Sequence, residues 1–262
     1  MRDCVPPDEG DSLFLSATSV VHDPAAGRWD VYVDPEDCLV ALDGDRRHPS
    51  IDSLGPDDVT VAETEGRRRY EGRILLGAGV VPVVGDAVPL IFRDAGAPTN
   101  PFCWTAPAGR VDDDPGTTAF REFYEELLVF RDGTPAYVDV DGVEMRDVYR
   151  SALAENDVDP DALTTVRGTV PDRFRCAFDT VVTHFGDQRI ESELWTEWIP
   201  DEPSLEFRTA VEIDADPSRL TFRDGELDRC VELFPTAELA SLPAALFVPG
   251  LAAFRDDFFA TE

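Results

Sequence analysis

The residues best equipped for chemistry lie in Ala106-Pro-Ala-Gly109-Arg110-Val-Asp-Asp113-Asp114-Pro115-Gly-Thr-Thr-Ala119-Phe-Arg121-Glu122-Phe-Tyr-Glu125-Glu126-Leu127. A glycine turn leads into a short acidic loop and then a segment with three glutamates. Asp114 is a good N-cap and Pro115 suits the first helical position, so the spacing predicts a helix from there to about Leu128. Glu122 stands three residues before Glu125 and four before Glu126, which puts all three on one helix face. Ala119, Phe120, Phe123 and Leu127 turn inward on the other side. Like charges at this spacing destabilise a helix by a few tenths of a kcal/mol. A pair held about 4 Å apart repels by roughly 1 kcal/mol even in water. A hard divalent cation reverses that sign, and Mg²⁺ is bound by oxygen ligands of this kind. Arg121, four residues before Glu125, can orient it by a charge-assisted hydrogen bond. The competing account is an ordinary amphipathic helix with a solvated acidic face, which must be weighed in a chain rich in acid throughout.

The segment resembles the Nudix box, a loop–helix–loop of a glycine, a glutamate, and then Arg-Glu-apolar-x-Glu-Glu-x-Gly-apolar. Arg121, Glu122, Phe123, Glu125 and Glu126 match its core position by position, and Gly109-Arg110-Val111 matches the entry turn. Two features depart from the pattern. The loop between Gly109 and Arg121 is two residues short, so the first glutamate of the family falls best on Asp113. The closing glycine is replaced by Leu128. The resemblance implies Mg²⁺ (or Mn²⁺) held by Glu122, Glu125 and Glu126, with Asp113 as a further metal-shell carboxylate. It implies that Arg121 orients a glutamate, that Gly109 shapes the turn, and that Gly109, Arg110 and Trp104 lie against substrate. Phe102 and Trp104 either stack on a nucleobase or pack in the core, and core packing is the better expectation for large aromatics.

The activity implied by the resemblance is Mg²⁺-dependent hydrolysis of a pyrophosphate bond in a nucleoside diphosphate linked to another moiety. Water attacks in line, and the site must neutralise charge spread over the phosphoryl oxygens. The general base is open between a box glutamate and Glu191, Glu193, Glu197 or Glu232. The alternative is a non-catalytic nucleotide-binding or sensing domain on the same scaffold, motivated by the altered loop and by Leu128. A third is an isomerase of a diphosphate ester, for which the sequence carries no positive sign.

The chain has 262 residues with 54 acids against 23 bases, a net charge of −31, and every base is arginine. Such a charge strains a compact state in dilute salt. At about 1 M salt the Debye length falls to roughly 3 Å and the repulsion is screened. The reading is therefore a halophilic protein, preferred over a nucleic-acid mimic because the acid is spread evenly. A nucleic-acid partner is disfavoured, since phosphate contacts need basic patches. Five scattered cysteines, with no Cys-x-x-Cys, point to reduced thiols and a cytoplasmic location. No apolar run approaches the roughly 18 residues of a membrane span, and the first residues do not read as a signal peptide. The expected partner is a small nucleoside diphosphate derivative, and a homodimer is an open assembly.

The elements that must position the box are mostly strands. Ser12–Val21, Trp29–Val33, Cys38–Leu42 and Val59–Ala62 read as short strands of a β-rich N-terminal extension over residues 1–72. Arg67-Arg68-Arg69 reads as a counter-charge in preference to a phosphate contact. From residue 73 to 262 the reading is a Nudix-like α/β domain, a mixed sheet sandwiched between helices. Gly79–Val84 and Ala87–Phe92 form a hairpin through Gly85-Asp86. An insertion spans about 134–170, with a strand at Ala136–Val140 and a helix at Val143–Glu155. Ala177–Phe185 and Ile190–Ile199 turn at Gly186-Asp187, and Thr209–Ile213 and Cys230–Phe234 continue the sheet. Thr236 is read as the cap of a short helix, and Ala244–Phe259 as a closing helix broken at Pro249-Gly250.

Overall fold

Turn chemistry sets the hairpins of the computed structural model, which describes residues 12–33, 39–41, 56–95, 97, 100–226 and 229–259. Glu65-Gly66 and Asp132-Gly133 each hold two successive positive φ angles, 54° and 78°, then 51° and 79°. That is the backbone twist a two-residue hairpin requires. Of the expected N-terminal strands, Cys38 and Leu42 lie outside the described residues, as do residues 1–11; Leu39–Ala41 is a strand paired with Ser12–Phe14.

The chain gathers into two units, the first from residues 1–78, 110–118 and 177–207, the second from 79–109, 119–176 and 208–262. In the first, Gln188–Ile199, Asp179–Phe185, Arg28–Val33, Ser16–Asp23, the opening part of Arg67–Val83 and Val59–Thr64 lie side by side. Neighbours run antiparallel, except that Asp179–Phe185 and Arg28–Val33 are parallel. The strand period of two sends Trp29, Val31 and Val33 inward. Trp29 donates from Nε1 to Asp179 Oδ2 at 2.8 Å and stacks on His22 at 3.8 Å. Arg67, Arg68 and Arg69 face Asp23, Glu63 and Glu71. They are counter-charges on an exposed surface, where such pairs contribute little.

In the second unit the order is Leu220–Asp224, Leu127–Arg131, Thr134–Val140, Thr164–Thr169 and the closing part of Ser204–Asp214. Thr134–Val140 and Thr164–Thr169 run parallel, so they need a crossover, and helix α2 (Arg146–Glu155) supplies it. A smaller sheet joins Val231–Pro235, Ala87–Phe92 and Trp104–Thr105. The last helix, Pro249–Phe258, packs Phe254 against Phe174 at 5.9 Å. A short helix, Thr236–Ser241, follows Pro235 without a side-chain cap, so Thr236 is its first residue and not its cap. The chain as a whole is α/β of mixed strand direction, mostly strand with few helices.

Helix α1 spans Pro115–Glu126. Asp114 Oδ1 accepts from the backbone N–H of Gly116 and Thr117, both at 3.0 Å, which fixes its start. It ends two residues before the expected Leu128. Leu127, Leu128, Val129 and Phe130 are four successive buried residues, and they pair with Leu220–Asp224 as a strand. A helix buries one stripe; a strand flanked on both faces can bury every residue.

Candidate active site

Glu122, Glu125 and Glu126 leave α1 on one side, but their surroundings differ sharply. Glu125 remains 40% exposed at its side chain, whereas Glu122 keeps 13% and Glu126 7%. A solvated acidic face is thus ruled out for two of the three. Glu126 Oε2 accepts from the backbone N–H of Ala108 at 2.8 Å. Glu122 lies against the next residue: a Cβ on Gly109 would meet the Glu122 carboxylate carbon at 2.3 Å. The strand Ala108–Arg110 therefore acts as a bare backbone platform for two carboxylates, and a side chain at position 109 would displace the Glu122 carboxylate.

Arg121 sits between its neighbours, with Nη2 3.2 Å from Glu122 Oε1 and Nε 3.7 Å from Glu125 Oε2. The shorter contact is to Glu122, so Arg121 steadies that carboxylate more than the expected Glu125. Burial still pushes the Glu122 carboxyl up to about 7, opposed by Arg121 and reinforced by the charges of Glu125 and Glu226. Burial, with Glu226 and Glu122 nearby, drives Glu126 well above the carboxylate range, against the pull of the Ala108 N–H and Arg229.

Three of these groups, Asp224, Glu226 and Arg229, were not singled out from the sequence. Arg229 donates from its backbone N–H and Nε to Asp224 Oδ2, both at 2.8 Å, and from Nη2 to Glu226 Oε2 at 3.2 Å. The same Nη2 stands 3.9 Å from Glu126. Gly225 N–H caps the end of α1 by donating to Glu126 O at 2.8 Å, and a Cβ there would meet Glu125 O at 1.9 Å. Asp224-Gly225 is legible as a turn, yet no spacing in the sequence ties it to α1.

The remaining candidates fall in both units. Arg110 and the exposed Asp113 belong to the first unit, as do the exposed Glu191, Glu193 and Glu197 of Gln188–Ile199. Glu232 is exposed on Val231–Pro235 in the second unit. Trp104 is half-buried between Phe92 at 5.0 Å and Phe234 at 4.8 Å. Phe102 is exposed instead of core-packed, on a backbone with φ of 63°.

The donors gathered on α1 are all oxygen, and burial plus neighbouring charge disfavour the charged forms of Glu122 and Glu126. By that chemistry they suit a hard divalent cation. Among the described residues no group of three or more His, Cys, Asp or Glu is placed so as to hold a metal ion as it stands. Among them, too, no helix is long and apolar enough to cross a membrane.

No family model and no curated protein matches the sequence. Solved structures similar to the chain include a NUDIX hydrolase from Nitrosomonas europaea, at 15% identity and TM-score 0.32, over 76% of this chain and 86% of that one. A mutator MutT protein from Bacillus halodurans shows 12% identity and TM-score 0.31, over 72% and 84%. A bifunctional NMN adenylyltransferase/ADP ribose pyrophosphatase from Francisella tularensis, complexed with AMP and a Mn ion, shows 12% identity and TM-score 0.32 over 61% of this chain. This chain covers 33% of that protein's length. Likeness of this degree is descriptive, and the functional reading stands on the site itself.

Proposed function

We propose that the chain hydrolyses the diphosphate bond of a nucleoside diphosphate joined to a second group, with Mg²⁺ or Mn²⁺ held by Glu122, Glu125 and Glu126. The observation that supports this is the seating of Glu122 and Glu126 on the Ala108–Gly109 backbone. It fixes two carboxylates that burial and mutual repulsion would otherwise drive apart, and it leaves Glu125 open to solvent. When bound, a divalent ion supplies positive charge against the diphosphate oxygens. Arg121 holds Glu122 and Glu125 in register, the Ala108 N–H fixes one oxygen of Glu126, and Arg229 ties the Asp224–Glu226 loop to the end of α1. The test is release of phosphate or nucleoside monophosphate from a panel of nucleoside diphosphate conjugates in molar KCl, with and without Mg²⁺. Glu125→Gln and Glu126→Gln should each lower the rate at least a hundredfold. A loss under about tenfold, roughly 1.4 kcal/mol of barrier, would remove the assigned role.

One observation favours a second reading, binding without turnover. Glu126 is 5% exposed and already engaged by the Ala108 N–H, with Arg229 facing it. Tight nucleotide binding that persists without divalent cation, and no product from any panel member, is the outcome that reading requires.

A further inference from the structure

Beside Glu125 the second unit carries an open concavity of about 650 Å³, lined by Glu125, Val148, Ser151, Ala152, Glu155, Asn156, Gly225 and Glu226. Its walls are fixed in place. Tyr149 on α2 donates its hydroxyl to Val129 O at 3.1 Å and accepts from Val129 N–H at 2.9 Å. Asn156 Nδ2, at the end of the same helix, donates to Ala152 O at 2.8 Å and to Gly225 O at 2.5 Å. Gly225 in turn donates its N–H to Glu126 O at the end of α1. A preformed concavity of this size accommodates a sugar-sized group.

Its charge is one-sided. Glu125, Glu155 and Glu226 line it, and no lining residue is basic. The C-terminal ends of α1 and α2 both reach it, at Glu125 and at Glu155–Asn156. Each helix end adds roughly half a negative charge. Ser151 adds a hydroxyl, while Val148 and Ala152 give an apolar patch.

We propose that α2 forms the specificity wall for the group on the far side of the diphosphate, and that this group is rich in hydrogen-bond donors and carries no negative charge. A glycosyl residue with free hydroxyls and an alkylammonium alcohol share that chemistry. The assignment rests on the hydrolase reading, because Glu125 joins the cavity to the proposed metal-binding face. Ser151 and Glu155 are its specificity residues, both exposed on α2 and apart from the α1 carboxylates.

The experiment uses the full chain in 2 M KCl with Mg²⁺. Nucleoside diphosphate glucose is compared with the matching glucuronate, on adenine and on uracil, with CDP-choline as the alkylammonium arm. Each glucose–glucuronate pair differs only in a hydroxymethyl against a carboxylate. Hydrolysis and calorimetric binding are read together. The glucose or choline member should exceed the glucuronate at least fivefold in kcat/KM. Glu155→Gln should narrow that ratio at least twofold with the melting temperature unchanged. Ser151→Trp, which narrows the concavity, should weaken binding of the preferred member at least tenfold, seen in KM more than in kcat. Equal handling of glucose and glucuronate, or no effect of Ser151→Trp, overturns the assignment. If the panel binds with the stated preference but no member is cleaved, the hydrolase reading fails and the pocket assignment stands. If no member binds, the pocket assignment fails as well.

Discussion

Replacing Gly109 by alanine tests the seating of the carboxylates most directly. The added Cβ would lie 2.3 Å from the Glu122 carboxylate carbon and Oε2, where ordinary contact begins at 3.4 Å. The carboxylate must therefore retreat by about 1.1 Å, the difference of those two distances. Gly109 has no positive φ, so alanine itself is tolerated by the backbone. The cost to folding should stay near 1 kcal/mol, in the ordinary range for a small steric change. The cost to function should be larger. A displacement of about 1 Å at a reacting centre can cost a hundredfold in rate, roughly 2.7 kcal/mol of barrier. The assay is kcat/KM in molar KCl beside a melting curve recorded with and without Mg²⁺. The expected variant is folded, at least fiftyfold slower, and less stabilised by Mg²⁺ than the parent. A variant with unchanged melting temperature, rate within threefold of the parent and the full Mg²⁺ shift would refute the reasoning, because Glu122 would then not need its place against the Gly109 backbone.

Tyr149→Phe removes the hydroxyl that bonds both Val129 N–H and Val129 O in the core. Two buried backbone groups left without that partner should cost about 2 kcal/mol, visible as a lower denaturation midpoint; a change under about 0.5 kcal/mol would show that water replaces it. Asp30 is held down to about 2 by the Arg28 guanidinium, with His184 also bonded to it. Its folded value lies below the unfolded one, so its stabilisation is present above about pH 4 and lost as pH falls through about 2. Asp30→Asn should cost about 1 kcal/mol near neutrality, allowing for solvent screening of a partly exposed pair. The gap to the parent should close in acid, and a gap independent of pH would exclude this origin. Melting temperature should rise steeply with KCl, since the net charge is −31, and equal stabilisation by sucrose would point away from charge screening.

Local chemistry was readable. Asp114-Pro115 announced the start of α1 and Gly186-Asp187 marked a hairpin, whereas Gly85-Asp86 marked a turn closed by the single bridge Val84–Ala87, and Ala87–Phe92 pairs with Val231–Pro235 and Trp104–Thr105 instead of Gly79–Val84. Non-local pairing was not readable. Leu127–Arg131 follows α1 without a turn; its hairpin partner Thr134–Val140 pairs with Phe130 and Arg131, and along its whole length it pairs with Leu220–Asp224, about ninety residues later. Trp29 and Asp179, bonded at 2.8 Å, stand 150 residues apart, and nothing near either one specifies the other. The same holds at the site. The three glutamates were visible as a set, but the burial of Glu126 and the arrival of Arg229 depend on how distant segments close over α1.

That closure changes what the acid means. Over most of the surface, carboxylates are solvated, and molar salt screens them. Around α1 the situation differs. Arg121 serves Glu122 and Glu125, while Arg229 serves Asp224 and Glu226 and stands 3.9 Å from Glu126. Among the described residues, these two guanidiniums stand against five carboxylates, of which Asp224, Glu122 and Glu126 are largely withdrawn from solvent. Mobile salt screens buried charge weakly, so adaptation to high salt does not account for this cluster. Its surplus is relieved in one of two ways, by proton uptake or by a bound cation. The two are separable by measurement. Relief by protons alone predicts that added Mg²⁺ leaves the melting temperature unchanged at pH 8. Relief by a cation predicts a saturable rise with Mg²⁺ that Glu122→Gln diminishes, beyond what equal ionic strength of KCl produces.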